Sequence, residues 1–162
     1  MLRRLMSRKK NFVLDVAAWA AFHAATGYAA HRLREDHLAG NGWLLRRRAF
    51  EHDGRWYRDT ARIHEWKDLL PEAGDLFPGG ISKRHLPGTD EPGLRQFAEE
   101  TRRAELGHWW ALCCGPVFVL WNAPLASTLL VGYGVVINAP FIVVQRYNRF
   151  RTLDVIERRF GP

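Results

Sequence analysis

Two polar residues interrupt an apolar helical stripe. From Pro92 to about His108 the chain is predicted to be helical, and at 100° per residue Leu94, Phe97, Ala98, Thr101, Ala104, Glu105 and His108 share one side. Arg95, Glu99, Arg102 and Arg103 lie around the other side. Glu105 and His108 are three residues apart and therefore neighbours. A carboxylate beside an imidazole can hold the ring in one tautomer and raise its basicity. Such a histidine can take the proton from a hydroxyl as that hydroxyl adds to an activated acyl group. Further along, QRYNRFR (145–151) supplies Arg146, Asn148 and Arg149, with the two arginines about one turn apart. These residues can stabilise an oxyanion or hold an anionic acyl donor. The opposing reading is structural: Glu105 pairs with an arginine, and the terminal arginines bind lipid phosphate.

For the two stretches to meet, the chain between them must fold back. Residues 109–144 are 36 consecutive residues without an Asp, Glu, Lys or Arg. A bilayer core of about 30 Å takes roughly 20 helical residues, so this run is too long for one crossing and suits two short ones. Asn122, Ala123 and Pro124 interrupt it and predict a turn. The expected structure is a membrane hairpin of about 108–121 and 125–144, which returns His108 and residues 145–151 to one interface. Its first arm is short, about 21 Å at 1.5 Å per residue. Trp109, Trp110 and Tyr147 would form an aromatic belt there.

Phe12–Ala30 is a second apolar stretch, behind the basic start MLRRLMSRKK. Asp15 and His23 within it, and the lack of a clean small-x-small site after it, argue for a retained membrane helix rather than a signal peptide. Asp15 is expected at the interface. The topology leaves two alternatives. The hairpin puts residues 31–108 and the C-terminal tail on one face, where the basic N-terminus also belongs by charge. Either residues 12–30 are re-entrant or interfacial, or the charge rule fails at one end.

Composition excludes several classes. The chain has 162 residues, 20 of them aromatic (7 Trp, 9 Phe, 4 Tyr), too many for a disordered polymer. The only cysteines, Cys113 and Cys114, are adjacent, so neither a disulfide framework nor a CxxC metal site can be built. The net charge is +7, but residues 31–108 balance 14 basic against 14 acidic residues. The excess sits at the ends: five Lys/Arg in the first ten residues and five Arg between Arg146 and Arg159. Basic flanks beside apolar runs fit anionic lipid and exclude nucleic acid as the partner.

The chain is thus expected to be a mainly α, small integral membrane protein of the cell membrane, multi-pass, forming one domain over 1–162. Its parts are a membrane helix at 12–30, a polar interfacial region of helices and loops at 31–108, a membrane hairpin at 109–144 and a basic tail at 145–162. Within the polar region, Asp53–Gly54 signal a turn, and ARIHEWKDLLPEAG reads as a short amphipathic helix ended by Pro71. FPGGISKR (77–84) is a Gly-rich loop without phosphate-loop spacing. Thr89 or Asp90 can cap the helix that holds Glu105.

At ETRRAELGHW (100–109) and NAPFIVVQRYNRFR (138–151) the sequence resembles the glycosyl-4,4′-diaponeurosporenoate acyltransferases of carotenoid biosynthesis. EWKDLLPEAG (65–74) and Arg84, His85 and Leu86 add weaker support, over roughly residues 50–153. The resemblance implies an integral membrane O-acyltransferase that esterifies a sugar hydroxyl of a glycosylated carotenoid, or a similar glycolipid, with a fatty acyl group. The implied partners are membrane lipid, that acceptor and a fatty acyl donor. An acyl thioester serves as co-substrate, with no cofactor and no metal. The matching positions are His85, Glu100, Glu105, His108, Asn138, Arg146, Asn148 and Arg149. His108, Glu105 and His85 are the catalytic candidates, with His85 an alternative base; the others are candidates for substrate binding. Asn138, polar within an apolar helix, suggests a ligand contact or an interhelical hydrogen bond. The HxxxxD pattern of glycerolipid acyltransferases is absent around His85 and His108. The alternative function is a non-catalytic membrane accessory protein that binds a glycolipid or carotenoid.

Overall fold

The computed structural model describes residues 8–34, 38, 42–52, 54–71 and 86–161. It is mainly helical, with no strand among the described residues. Three long helices form its body: α1 (Arg8–His31), α3 (Glu91–Cys114) and α4 (Pro124–Phe160). Between α1 and α3 lie short helical turns at Ala49–Glu51, Trp56–Thr60 and Lys67–Leu69, and the one-turn helix α2 (Ile63–Trp66).

Helix α3 starts at Asp90, whose extended backbone (φ −77°, ψ 166°) precedes Pro92 in the first turn. The Asp90 side chain makes no capping hydrogen bond; its carbonyl accepts from the Leu94 N–H at 3.0 Å. Most of the predicted stripe is buried: Leu94, Phe97, Ala98, Thr101 and Glu105 are buried, and Ala104 and His108 are half-buried. After Cys114 the helix tightens to a 3₁₀ segment, Gly115–Leu120, and the chain turns at Trp121–Ala123 into α4. The turn falls where Asn122, Ala123 and Pro124 predict it. The arms differ from the expected 108–121 and 125–144: the first begins at Glu91, and the second runs on to Phe160. Polarity changes along each helix while helical hydrogen bonding does not, so apolar boundaries are not element boundaries. Pro140 sits inside α4, where its missing N–H leaves the Val136 carbonyl without the usual partner.

Helices α3 and α4 pack antiparallel, and α1 lies against both. Near its start, Asp15 accepts from Trp121 Nε1 and Asn122 Nδ2, both at 2.7 Å, at the turn of the hairpin. Near its end, Ala30 and Gly27 approach Gly107. Helix α1 therefore runs antiparallel to α3 and parallel to α4. Asp15 is buried by these partners at the hairpin turn. Midway, the Trp19 indole covers Gly134; a Cβ there would lie 2.5 Å from Trp19 Cη2, so only glycine permits this approach. Trp19 also packs against Phe118 and Tyr133, with ring centroids 5.2 Å and 5.9 Å away.

Among the described residues one helix, α4, is long and apolar enough to cross a membrane. The amphipathic stretch ahead of Pro71 is the α2 turn and the following 3₁₀ turn, Lys67–Leu69. Gly54 takes the left-handed conformation (φ 68°) between two short helices, so this turn joins helices rather than strands. Asp53 and residues 77–84 lie outside the described residues.

Candidate functional site

The site forms where α4 leaves its apolar stretch and meets α3 and the turns of residues 42–58. Glu105 is fully buried on α3. Its carboxylate accepts from Arg146 Nη1 at 2.7 Å, Arg149 Nη1 at 2.5 Å and Trp109 Nε1 at 3.1 Å. Arg146 and Arg149 are three residues apart on α4 and so present adjacent side chains to one partner.

Arg146 also joins Glu105 to a second buried carboxylate. Its Nε and Nη2 donate to the two oxygens of Glu51, each at 2.8 Å, in the planar fork geometry only a guanidinium supplies. Glu51 further accepts from the Tyr57 hydroxyl at 2.5 Å and the Arg48 backbone N–H at 2.6 Å. Burial pushes the Glu51 carboxyl up, but the donors from Arg146, Tyr57 and Arg48 outweigh it and hold the group below its ordinary value. Burial and the adjacent carboxylate push the Tyr57 phenol well above its ordinary range. The two arginines also donate to three successive carbonyls: Arg146 to Leu44 (3.1 Å) and Arg46 (2.8 Å), Arg149 to Leu45 (3.0 Å). Two carboxylates and two guanidinium groups thus balance in charge and pin an irregular segment to α4. Burying them is costly, and is tolerated because their polar atoms meet partners.

His108 lies one turn beyond Glu105, toward the apolar end. Its Nδ1 is 2.9 Å from Asn138 Oδ1, and its ring stacks on Phe141 with centroids 4.7 Å apart. Asn138 Nδ2 donates to the Gly134 carbonyl at 2.9 Å, which turns the amide oxygen toward His108. An amide oxygen only accepts, so Nδ1 carries the proton in the neutral ring and Nε2 carries the lone pair.

The two distant sequence stretches are therefore neighbours, but their pairing differs from expectation. Glu105 accepts from the two arginines and Trp109 rather than orienting His108; Asn138 takes the orienting position. Arg146 and Arg149 serve carboxylates and carbonyls, the structural alternative for Glu105. Charge explains the exchange: a buried carboxylate facing two guanidinium groups gains more from them than from a neutral imidazole. Asn148 lies two residues from Arg146, on another face of α4, half-buried and outside this network. Glu100 pairs with Arg103, which also donates to the Leu33 carbonyl at 3.0 Å, and so belongs to the contact with the end of α1. His85 lies outside the described residues. Glu51 and Tyr57 were not singled out from sequence. Their signal would have been a carboxylate and a phenol within a short aromatic stretch, AFEHDGRWY.

Fold and site together define a small helical protein whose long helix carries a buried arginine–glutamate cluster where its apolar stretch gives way to polar sequence. The chain belongs to the glycosyl-4,4′-diaponeurosporenoate acyltransferase family, whose model matches residues 41–158. That range takes in every residue of the buried cluster and leaves α1 outside. A glycosyl-4,4′-diaponeurosporenoate acyltransferase of Staphylococcus aureus strain USA300 is 31% identical over 114 residues, 68% of this chain and 68% of the relative. The protein of the same name from strain Newman is 30% identical over 108 residues, 66% of this chain and 64% of that protein. No solved structure matches the chain.

Proposed function

We propose that the protein transfers a fatty acyl group from an activated donor, an acyl thioester, to a sugar hydroxyl of a glycosylated carotenoid or similar glycolipid at a membrane. Family membership carries this reading, since the relatives are named for acyl transfer to glycosyl-4,4′-diaponeurosporenoate. The structure adds support in two ways. Many of the exposed large apolar residues lie on the parts of the bundle around the hairpin turn, among them Phe12 (69%), Leu120 (65%), Leu125 (73%) and Val136 (69%), while Leu69 (81%) and Trp43 (70%) lie on the polar segment. A surface of this kind suits lipid. His108, set in one tautomer by Asn138, adjoins that surface, where a lipid-borne hydroxyl would lie.

In the proposed step the sugar oxygen adds to the thioester carbonyl while His108 Nε2 takes its proton. The tetrahedral intermediate expels the thiolate, which recovers that proton as a thiol, and the ester remains. Direct transfer needs no enzyme nucleophile. The Glu105–Arg146–Arg149–Glu51 cluster holds α3, α4 and residues 44–48 in register beneath this centre.

The test is mass spectrometry of lipid extracts from cells that make the glycosylated acceptor. With the wild-type chain the esterified glycoside should accumulate; with His108→Ala it should fall by about 10²–10⁴-fold while the protein still fractionates with membranes. Unchanged ester in the variant removes His108 as the base, and the parallel His85→Ala variant then identifies or eliminates the alternative.

A further inference from the structure

Two ring nitrogens of α1 are buried without a hydrogen-bond partner among the described residues: Trp19 Nε1 and His23 Nε2. Their chemistries are opposite. An indole N–H only donates. His23 Nδ1 lies 2.9 Å from the Trp19 carbonyl, which only accepts, so Nδ1 carries the proton of the neutral ring and Nε2 offers a lone pair. The two residues are one helical turn apart on the same side of α1, with ring centroids 5.3 Å apart. Trp19 is buried and His23 half-buried, so the pair sits at the rim of the bundle interior. A buried donor and a buried acceptor left unmatched are costly, and one guest that both accepts and donates satisfies them together.

Helical register brings this pair to His108. Trp19 packs on Gly134, and α1 runs parallel to α4. His23, four residues on, is therefore level with Asn138, four residues beyond Gly134. Asn138 is the residue that holds His108. From the other side, Gly107, the chain neighbour of His108, approaches Thr26, Gly27 and Ala30, in the turns that follow His23. We propose that Trp19 Nε1 and His23 Nε2 bind a non-reacting hydroxyl of the acceptor sugar while His108 takes the proton of the reacting one. This rests on the acyl-transfer reading above and adds two residues of α1, outside the family match, to the acceptor site. A hydroxyl donates to His23 and accepts from Trp19 at once. A carboxylate or phosphodiester has no proton for His23, an ammonium has no lone pair for Trp19, and a polyene has neither.

The experiment uses the full chain in phosphocholine micelles, with isotope-labelled indoles observed by NMR. The probes are an alkyl hexoside and its monodeoxy analogues, with a fatty acyl thioester as donor. Trp19→Phe identifies the Trp19 indole signal by its loss. In the wild type the hexoside should shift that signal, and the monodeoxy analogue that lacks the bound hydroxyl should not. In turnover, Trp19→Phe and His23→Phe should each raise KM for the hexoside by about 5–100-fold, with KM for the thioester nearly unchanged. His23→Gln keeps an acceptor and should fall in between. The analogue that lacks the bound hydroxyl should serve wild type and His23→Phe equally. A Trp19 signal unmoved by hexoside, or a His23→Phe penalty equal for every analogue, overturns the site and leaves the pair to packing or a buried water. Should His23→Phe fail to fold, the wild-type signal and the Trp19→Phe and His23→Gln kinetics decide in the same way. A hexoside that shifts the Trp19 signal but is never esterified sinks the acyl-transfer reading and leaves the hydroxyl site standing; esterification with an unmoved signal does the reverse.

Discussion

The residue that most shapes this site is Glu105, because it is buried without exposure and answers to two guanidinium groups. Removing one side of such a cluster strands charge in a low-dielectric interior, at a cost of about 3–5 kcal/mol. Glu105→Ala should therefore lower stability by about that amount in denaturant titration, and a loss within error of zero would show the cluster to be dispensable. Arg149→Lys should also destabilise, since a point charge cannot meet both Glu105 and the Leu45 carbonyl. Glu51 sets an acid limit. Its folded-state pKa is below the unfolded value, so its contribution is complete above the ordinary carboxylate range and is lost as pH falls through the folded value. Wild type should lose stability on acidification more steeply than Glu51→Gln, which starts lower and lacks this titration. Parallel curves for the two proteins would assign the acid sensitivity elsewhere.

At the scale of elements, the close approach of α1 to α4 depends on Gly134. A side chain there meets the Trp19 ring, which Phe118 and Tyr133 hold in place. Gly134→Val should force α1 outward and cost about 1–3 kcal/mol, as overpacking usually does, with a shift in the fluorescence of Trp19. A variant with wild-type stability and spectrum would mean that α1 is loosely held. The turn between α3 and α4 was legible because Pro124 marks it within 36 uncharged residues, while of the two expected membrane arms only α4, among the described residues, is long and apolar enough to cross. The lengths of the arms were not legible, because helices α3 and α4 continue through the boundary between polar and apolar sequence.

For the whole molecule, the parallel run of α1 and α4 bears on the two topological alternatives. The start of α1 lies at the hairpin turn, and α4 runs from that turn past the buried cluster to Phe160. If the bundle spans a bilayer, the N-terminal basic flank and the C-terminal arginines stand on opposite sides, and the positive-inside tendency fails at one of them. Tags at the two termini should then differ in protease accessibility in sealed vesicles. Equal accessibility would mean that α1 lies along the interface or that the bundle does not cross.

From the amino-acid order alone came the helical character, the turn ahead of Pro124, the apolar stripe of α3, and the meeting of residues 105–108 with 146–149. All follow from periodicity and from the cost of charge in apolar surroundings, which act locally. Which polar groups pair once that meeting occurs was decided by tertiary structure. Glu105 chose arginines over His108, Asn138 took the histidine, and Glu51 and Tyr57 entered from a segment with no periodic signal. Hydrogen-bond partners are set by distance and orientation across elements, and those quantities are not written in spacing along one chain.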